Sequence, residues 1–86
     1  MIGTILRNIR KIRKLKQKQI ANYLSVAENT VSNYETQASN ITFETAIDFI
    51  RECNFDIQFI DKENNKIYTI EELSKEMDFW NKFRRT

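Results

Sequence analysis

The stretch QKQIANYLSVAENTVSNYE, Gln17 to Glu35, decides how this chain is read. Ile20, Ala21 and Leu24 recur at helical spacing and predict a short helix that opens at Gln17. Ser25 and Val26 make a tight turn. A further helix runs from about Ala27 to Thr36, with Val31 and Tyr34 facing inward. Once those two are buried, Glu28, Asn29, Ser32 and Asn33 are left pointing away from the core.

Outward from this pair the apolar spacing continues. Ile5, Leu6, Ile9 and Ile12 predict a first helix from about Gly3 to Lys14, apolar on one face and basic on the other, with Leu15 then packing inward. Thr36 to Ile41 is a polar loop. Thr42 is an N-cap for the next helix, and Glu44 suits the positive end of its dipole. Phe43, Ala46, Ile47, Ile50 and Cys53 form the buried stripe of that helix, which makes Cys53 a core thiol. The period then changes. Phe55, Ile57 and Phe59 alternate with Asp56 and Gln58, as in a half-buried strand. Asp61 to Asn65 reads as a turn, and Lys66 to Thr69 as a returning strand. Thr69 and Glu72 have capping-box spacing before a last helix. Its stripe is Ile70, Leu73, Met77 and Trp80, widened by Phe79 and Phe83. So apolar a helix must pack on the body or on a second subunit. The expected fold is therefore mainly α: a helical bundle over residues 1–54, then an extension over 55–86 made of a short strand or hairpin and a C-terminal helix.

Composition narrows the function. Eighty-six residues make one small domain with a modest core. Histidine is absent and Cys53 is the only cysteine. Zinc sites built on Cys and His within one chain are excluded, as is His-based nucleophilic catalysis. The carboxylates form no recognisable catalytic set, so neither an enzyme nor a bound cofactor is expected. No apolar stretch approaches the ~20 residues of a membrane span. Charges from Arg7 onward interrupt any signal-peptide core. With its lone cysteine, the chain is expected in the reducing cytoplasm. The formal net charge is only +2, but Arg7, Arg10, Lys11, Arg13, Lys14, Lys16 and Lys18 crowd the first 18 residues with no acid among them. That asymmetry gives one end of the molecule a positive field suited to phosphates.

These features meet in one partner, double-stranded DNA. An α-helix fits the major groove, where every base pair shows a distinct donor and acceptor pattern. A second helix must brace it across the backbone. Asn33 is placed for bidentate contact with adenine, with Asn29 a further candidate and Glu28, Thr30 and Ser32 on the same surface. Gln17, at the start of its helix, suits a phosphate, with Lys16 and Lys18 adding charge nearby and Asn40 in the following loop.

On these residues, LKQKQIANYLSVAENTVSNYE resembles the helix-turn-helix of the lambda-repressor-like (Xre) family. The matching positions are Leu15, Gln17, Gln19, Ile20, Ala21, Leu24, Val26, Thr30, Val31, Ser32 and Glu35, and the similarity extends over roughly residues 3 to 54. The resemblance implies a four- or five-helix domain that docks as a homodimer on a palindromic operator. It implies that Gln17 contacts phosphate and that Glu28, Asn29 and Asn33 face bases. It also implies an ion pair between Arg10 and Glu35, which removes Arg10 from the phosphate-binding set. The longer stretch NTVSNYETQASNITFETAIDFIRECNFDIQFID looks like that of HipB-type antitoxins, whose single strand pairs with its twofold mate. Here that strand is Asp56 to Asp61, and pairing with a second copy would satisfy backbone groups that an isolated strand leaves open. Ile57, Phe59, Leu73, Met77 and Trp80 are then the expected dimer contacts. HipB-type proteins repress their own operon and hold a HipA-type serine/threonine kinase toxin inactive. The alternative is a phage or mobile-element Xre-type regulator with no toxin partner. The chain departs from the family where Lys16 and Ala27 replace common N-cap residues, each at a cost of about 1 kcal/mol. Ser25 replaces a common glycine in the turn, and acidic Glu28 stands on a surface that meets phosphates. Residues 62–86 extend beyond the matched region.

Overall fold

The computed structural model describes residues 1–75. The contacts expected at Met77, Phe79, Trp80 and Phe83 lie outside the described residues. The elements are α1 (Ile2–Ile12), α2 (Gln17–Leu24), α3 (Glu28–Glu35), α4 (Phe43–Glu52), β1 (Gln58–Asp61), β2 (Lys66–Thr69) and α5 (Ile70–Ser74). This is the mainly helical order the spacing predicts, a bundle followed by a hairpin and a further helix. One compact unit spans Met1–Asp56, and a second begins at Ile57.

In the first unit Leu6, Ile20, Ala21, Val31, Ala46, Ile47, Phe49, Ile50 and Cys53 form the core. Two expectations need correction. On α4 the fully buried ring is Phe49, whereas Phe43 is 55% exposed. Ala46, Phe49, Ile50 and Cys53 share one face at helical spacing, and Phe43 begins the helix a turn ahead of that cluster. On α1 the expected stripe faces inward only in part, with Leu6 buried and Ile9 half-buried. Ile5 and Ile12 are 43% and 61% exposed, and the buried residues are Gly3, Leu6 and Arg10. The helix is rotated from its most apolar orientation because Arg10 finds a carboxylate inside, and because Gly3 lets α1 meet α3 backbone to backbone. A Cβ at Gly3 would stand 2.5 Å from the carbonyl oxygen of Tyr34 and 2.6 Å from that of Glu35. Gln37, just beyond α3, reinforces this contact: its Oε1 accepts from the Gly3 N–H at 3.2 Å and from the Met1 ammonium.

Helices α1, α2 and α4 end in the same way. Lys14, Ser25 and Asn54 adopt left-handed backbone, with φ of 57°, 58° and 59°. The next residue then folds back to bond the preceding turn: Leu15 N–H to the Arg10 carbonyl at 3.1 Å, Val26 to Ala21 at 3.0 Å, Phe55 to Ile50 at 3.1 Å. These are Schellman closures, in which the apolar residue after the left-handed one seals the helix end. Ser25 thus takes the bend its position demands. At the other ends, Thr42 Oγ1 accepts from Thr45 N–H at 3.1 Å, as its capping role requires. Lys16 and Ala27 supply no side-chain cap. Gln19 compensates in part, its Oε1 accepting from Lys16 N–H at 2.8 Å.

In the second unit β1 and β2 pair antiparallel, Gln58 opposite Thr69 and Asp61 opposite Lys66. Strand β1 is shorter than the expected Asp56–Asp61, and its partner lies in the same chain. The need to satisfy an isolated strand therefore gives no argument for a second copy. Asp61 organises the turn by accepting from Glu63 N–H and Asn64 Nδ2, each at 3.0 Å. The hydrogen bond from Asn64, with that from Glu63, holds its carboxyl below the usual range. Thr69 and Glu72 form the expected reciprocal capping box at the start of α5. Ile60 and Ile67 stand directly opposite each other and are 66% and 53% exposed. Sequence alternation singles out Ile57 and Phe59 rather than this pair.

Candidate nucleic-acid interface

Helix α3 is held by a buried carboxylate. Glu35 Oε2 accepts from Arg10 Nε at 2.6 Å, and Oε1 accepts from Arg10 Nη2 at 2.8 Å and from Gln17 Nε2 at 3.1 Å. Arg10 Nη1 donates to the Leu15 carbonyl at 2.8 Å. One guanidinium and one carboxylate thus tie together α1, the turn after it, the start of α2 and the end of α3. This is the ion pair the resemblance implies. No buried side-chain polar atom among the described residues is left without a partner. Burial alone pushes the Glu35 carboxyl up. The hydrogen bonds from Arg10 and Gln17 and the charges of Arg10 and Arg7 outweigh it, and its pKa falls below the ordinary value. The hydrogen bond to Glu35, working against desolvation, likewise raises the Arg10 pKa. A buried pair of this kind contributes more to a unique arrangement than to net stability. Here it fixes the rotation of α3 about its own axis.

With Val31 and Glu35 locked inward one turn apart, the opposite side of α3 is set. Glu28 and Asn29 are exposed, while Thr30, Ser32 and Asn33 are half-buried. Tyr34 is half-buried as well. Lys16, Lys18 and Asn40 are exposed. Gln17 is half-buried because its amide turns toward Glu35.

The basic run divides once its contacts are known. Arg13 Nε donates to the Cys53 carbonyl at 2.8 Å, and Nη2 donates to that of Asn54 at 3.3 Å. Its guanidinium lies 4.5 Å from the centre of the Phe55 ring. Arg13 therefore caps the end of α4, where carbonyls lack helical partners. Nothing in the local sequence signals this, because its partners lie some forty residues away. Arg10 is buried, and Arg13, though exposed, is engaged at the end of α4; Arg7, Lys11, Lys14, Lys16 and Lys18 are exposed as well. Cys53 is 1% exposed and its thiol pKa is pushed up by burial, in keeping with a core residue.

A helix-turn-helix family model matches residues 6–60, well over half of the chain. The chain belongs to this Xre-like helix-turn-helix family and is a sequence-specific DNA-binding regulator. The family is a DNA-binding regulatory domain, not an enzymatic one. Comparison with curated proteins and with solved structures gave no match. Among the described residues no helix is long and apolar enough to cross a membrane.

Proposed function

We propose that the chain is a cytoplasmic transcriptional repressor that occludes a promoter by binding a palindromic operator as a homodimer. The observation that carries this reading is the state of α3, braced by α2 and pinned through Glu35 while Glu28 and Asn29 stand exposed. Asn29 and Asn33 are four residues apart on a helix and so share a face. In this reading they meet base edges together with Glu28, Thr30 and Ser32. Lys16, Gln17, Lys18 and Asn40 hold the flanking phosphates. Ile57 and Phe59, with Leu73, Met77 and Trp80, supply the contact between copies. A footprint with purified protein on the DNA upstream of its own gene, at two salt concentrations, tests the reading. Protection of two half-sites about 34–36 Å apart is expected, and no protection at the lower salt would count against it.

Asn33→Ala is expected to weaken operator binding by about 1–3 kcal/mol, the discrimination carried by one bidentate base contact. An unchanged titration curve removes Asn33 from the reading surface. Ile57→Lys is expected to convert the dimer to monomers in sedimentation, because a charge there would be buried without a partner. A dimer that survives this change places the contact between copies elsewhere.

The finer reading is a HipB-like antitoxin that autoregulates its operon and restrains a HipA-type serine/threonine kinase. Its support is the resemblance of residues 29–61 to that group. Adding the purified protein to such a kinase is expected to suppress phosphorylation. Full activity at saturating protein leaves repression without a toxin.

A further inference from the structure

Two arginines of α1 approach Glu35, yet one suffices for it. Arg10 occupies both carboxylate oxygens, and Gln17 adds a further donor to Oε1. Arg7 Nε stands 4.0 Å from that same Oε1, beyond hydrogen-bonding distance, and its side chain is 46% exposed. The cluster therefore holds two cations against one carboxylate and keeps a net positive charge open to solvent. Glu35 attracts Arg7 without consuming the donors of its guanidinium.

Gln17 is in a similar position. Its Nε2 carries two hydrogens, and the bond to Glu35 uses one. Arg7 and Gln17 thus gather around one carboxylate oxygen, each with donors to spare. A guanidinium binds phosphate through two parallel hydrogen bonds, and prior orientation lowers the entropy lost on binding.

We propose that Arg7 is a DNA phosphate contact, held beside Gln17 by Glu35 so that both side chains close on one phosphate. This rests on the DNA-binding reading above and adds to it a residue from α1. Glu35 is then a positioning residue, acting on the nucleic acid only through its neighbours. Lys11 and Lys14 are exposed too, but among the described residues no carboxylate aims them, and they add only to the general positive field.

The test is affinity as a function of salt for the parent, Arg7→Gln and Arg7→Lys, on the operator and on a scrambled duplex, with thermal unfolding of each protein. Arg7→Gln is expected to reduce the slope of log affinity against log salt by about 0.9 on both duplexes, the release of one phosphate's counterions. Arg7→Lys is expected to restore the slope, since the charge returns. Melting temperatures should stay together, because the side chain is half exposed and Arg10 already satisfies Glu35. A parental slope retained in Arg7→Gln overturns the proposal while DNA binding itself stands. If that variant instead melts early with its slope intact, Arg7 serves only to support Glu35. A parent protein that binds neither duplex overturns both readings.

Discussion

Glu35→Ala is expected to cost about 3–5 kcal/mol of folding stability. The loss comes from what remains behind. Arg10 is 9% exposed, and without Glu35 its guanidinium would be a buried charge left, among the described residues, with its bond to the Leu15 carbonyl alone. Gln17 would lose its partner as well. Urea unfolding of the single variant, and of the double variant Arg10→Met with Glu35→Leu, separates the pair's net worth from the penalty of breaking it. The double variant is expected to recover most of the loss, because an apolar pair of similar volume often matches a buried ion pair. It should still bind the operator less well, since the directional bonds that orient Glu35 and Gln17 are gone and only apolar packing at Val31 then sets the rotation of α3. A single variant that unfolds with the parent would show that the ion pair is not buried in solution. The same carboxylate sets an acid limit. Its folded pKa lies below the unfolded one. The stabilisation is therefore complete above the ordinary carboxylate range of ~4 and is lost as pH falls through the lower, folded value. Glu35→Gln is expected to flatten that part of the stability profile.

Gly3→Ala is expected to destabilise by about 2–3 kcal/mol, although alanine is the better helix former by about 1 kcal/mol. The ordinary sign reverses because the new methyl would meet backbone rather than a movable side chain. Both carbonyls, of Tyr34 and Glu35, belong to the end of α3. Relief requires α1 to retreat, which stretches the Arg10–Glu35 bonds and the bond from Gly3 to Gln37. Thermal unfolding measures the loss, and a variant as stable as the parent would mean that α1 can slide without cost.

Much of the bundle was legible because local pattern and tertiary packing agree there. Ile20, Ala21 and Val31 are buried where periodicity places them, and Thr42 and Thr69 cap the helices they precede. Patterning misled at α1 for a definite reason. Its most apolar stripe is outvoted by a paired charge and a backbone contact, both set by residues in α3. On α4 the period finds Ala46, Ile47, Ile50 and Cys53, but Phe49, three residues after Ala46 and four before Cys53, shares that face, while Phe43 stands in the more exposed first turn. The role of Arg13 rests on carbonyls at Cys53 and Asn54, and no window of sequence around residue 13 contains them. At the interface, the residue types on α3 were readable, but the turn of Gln17 toward Glu35 was not. That turn depends on which neighbour of Glu35 reaches it.

Among the described residues, Lys14, Ser25, Gln37, Asn54 and Asn65 sit in backbone conformations that glycine adopts most easily, and none is glycine. Non-glycine residues there carry a steric penalty of order 1–2 kcal/mol each, less for asparagine. The one glycine present is spent inside a helix, where close approach and not flexibility requires it. The domain therefore has untapped headroom for heat resistance at these positions, none of which is among the residues proposed to face bases. Adaptation of such a regulator to a hotter host could proceed through those positions without altering which operator it recognises.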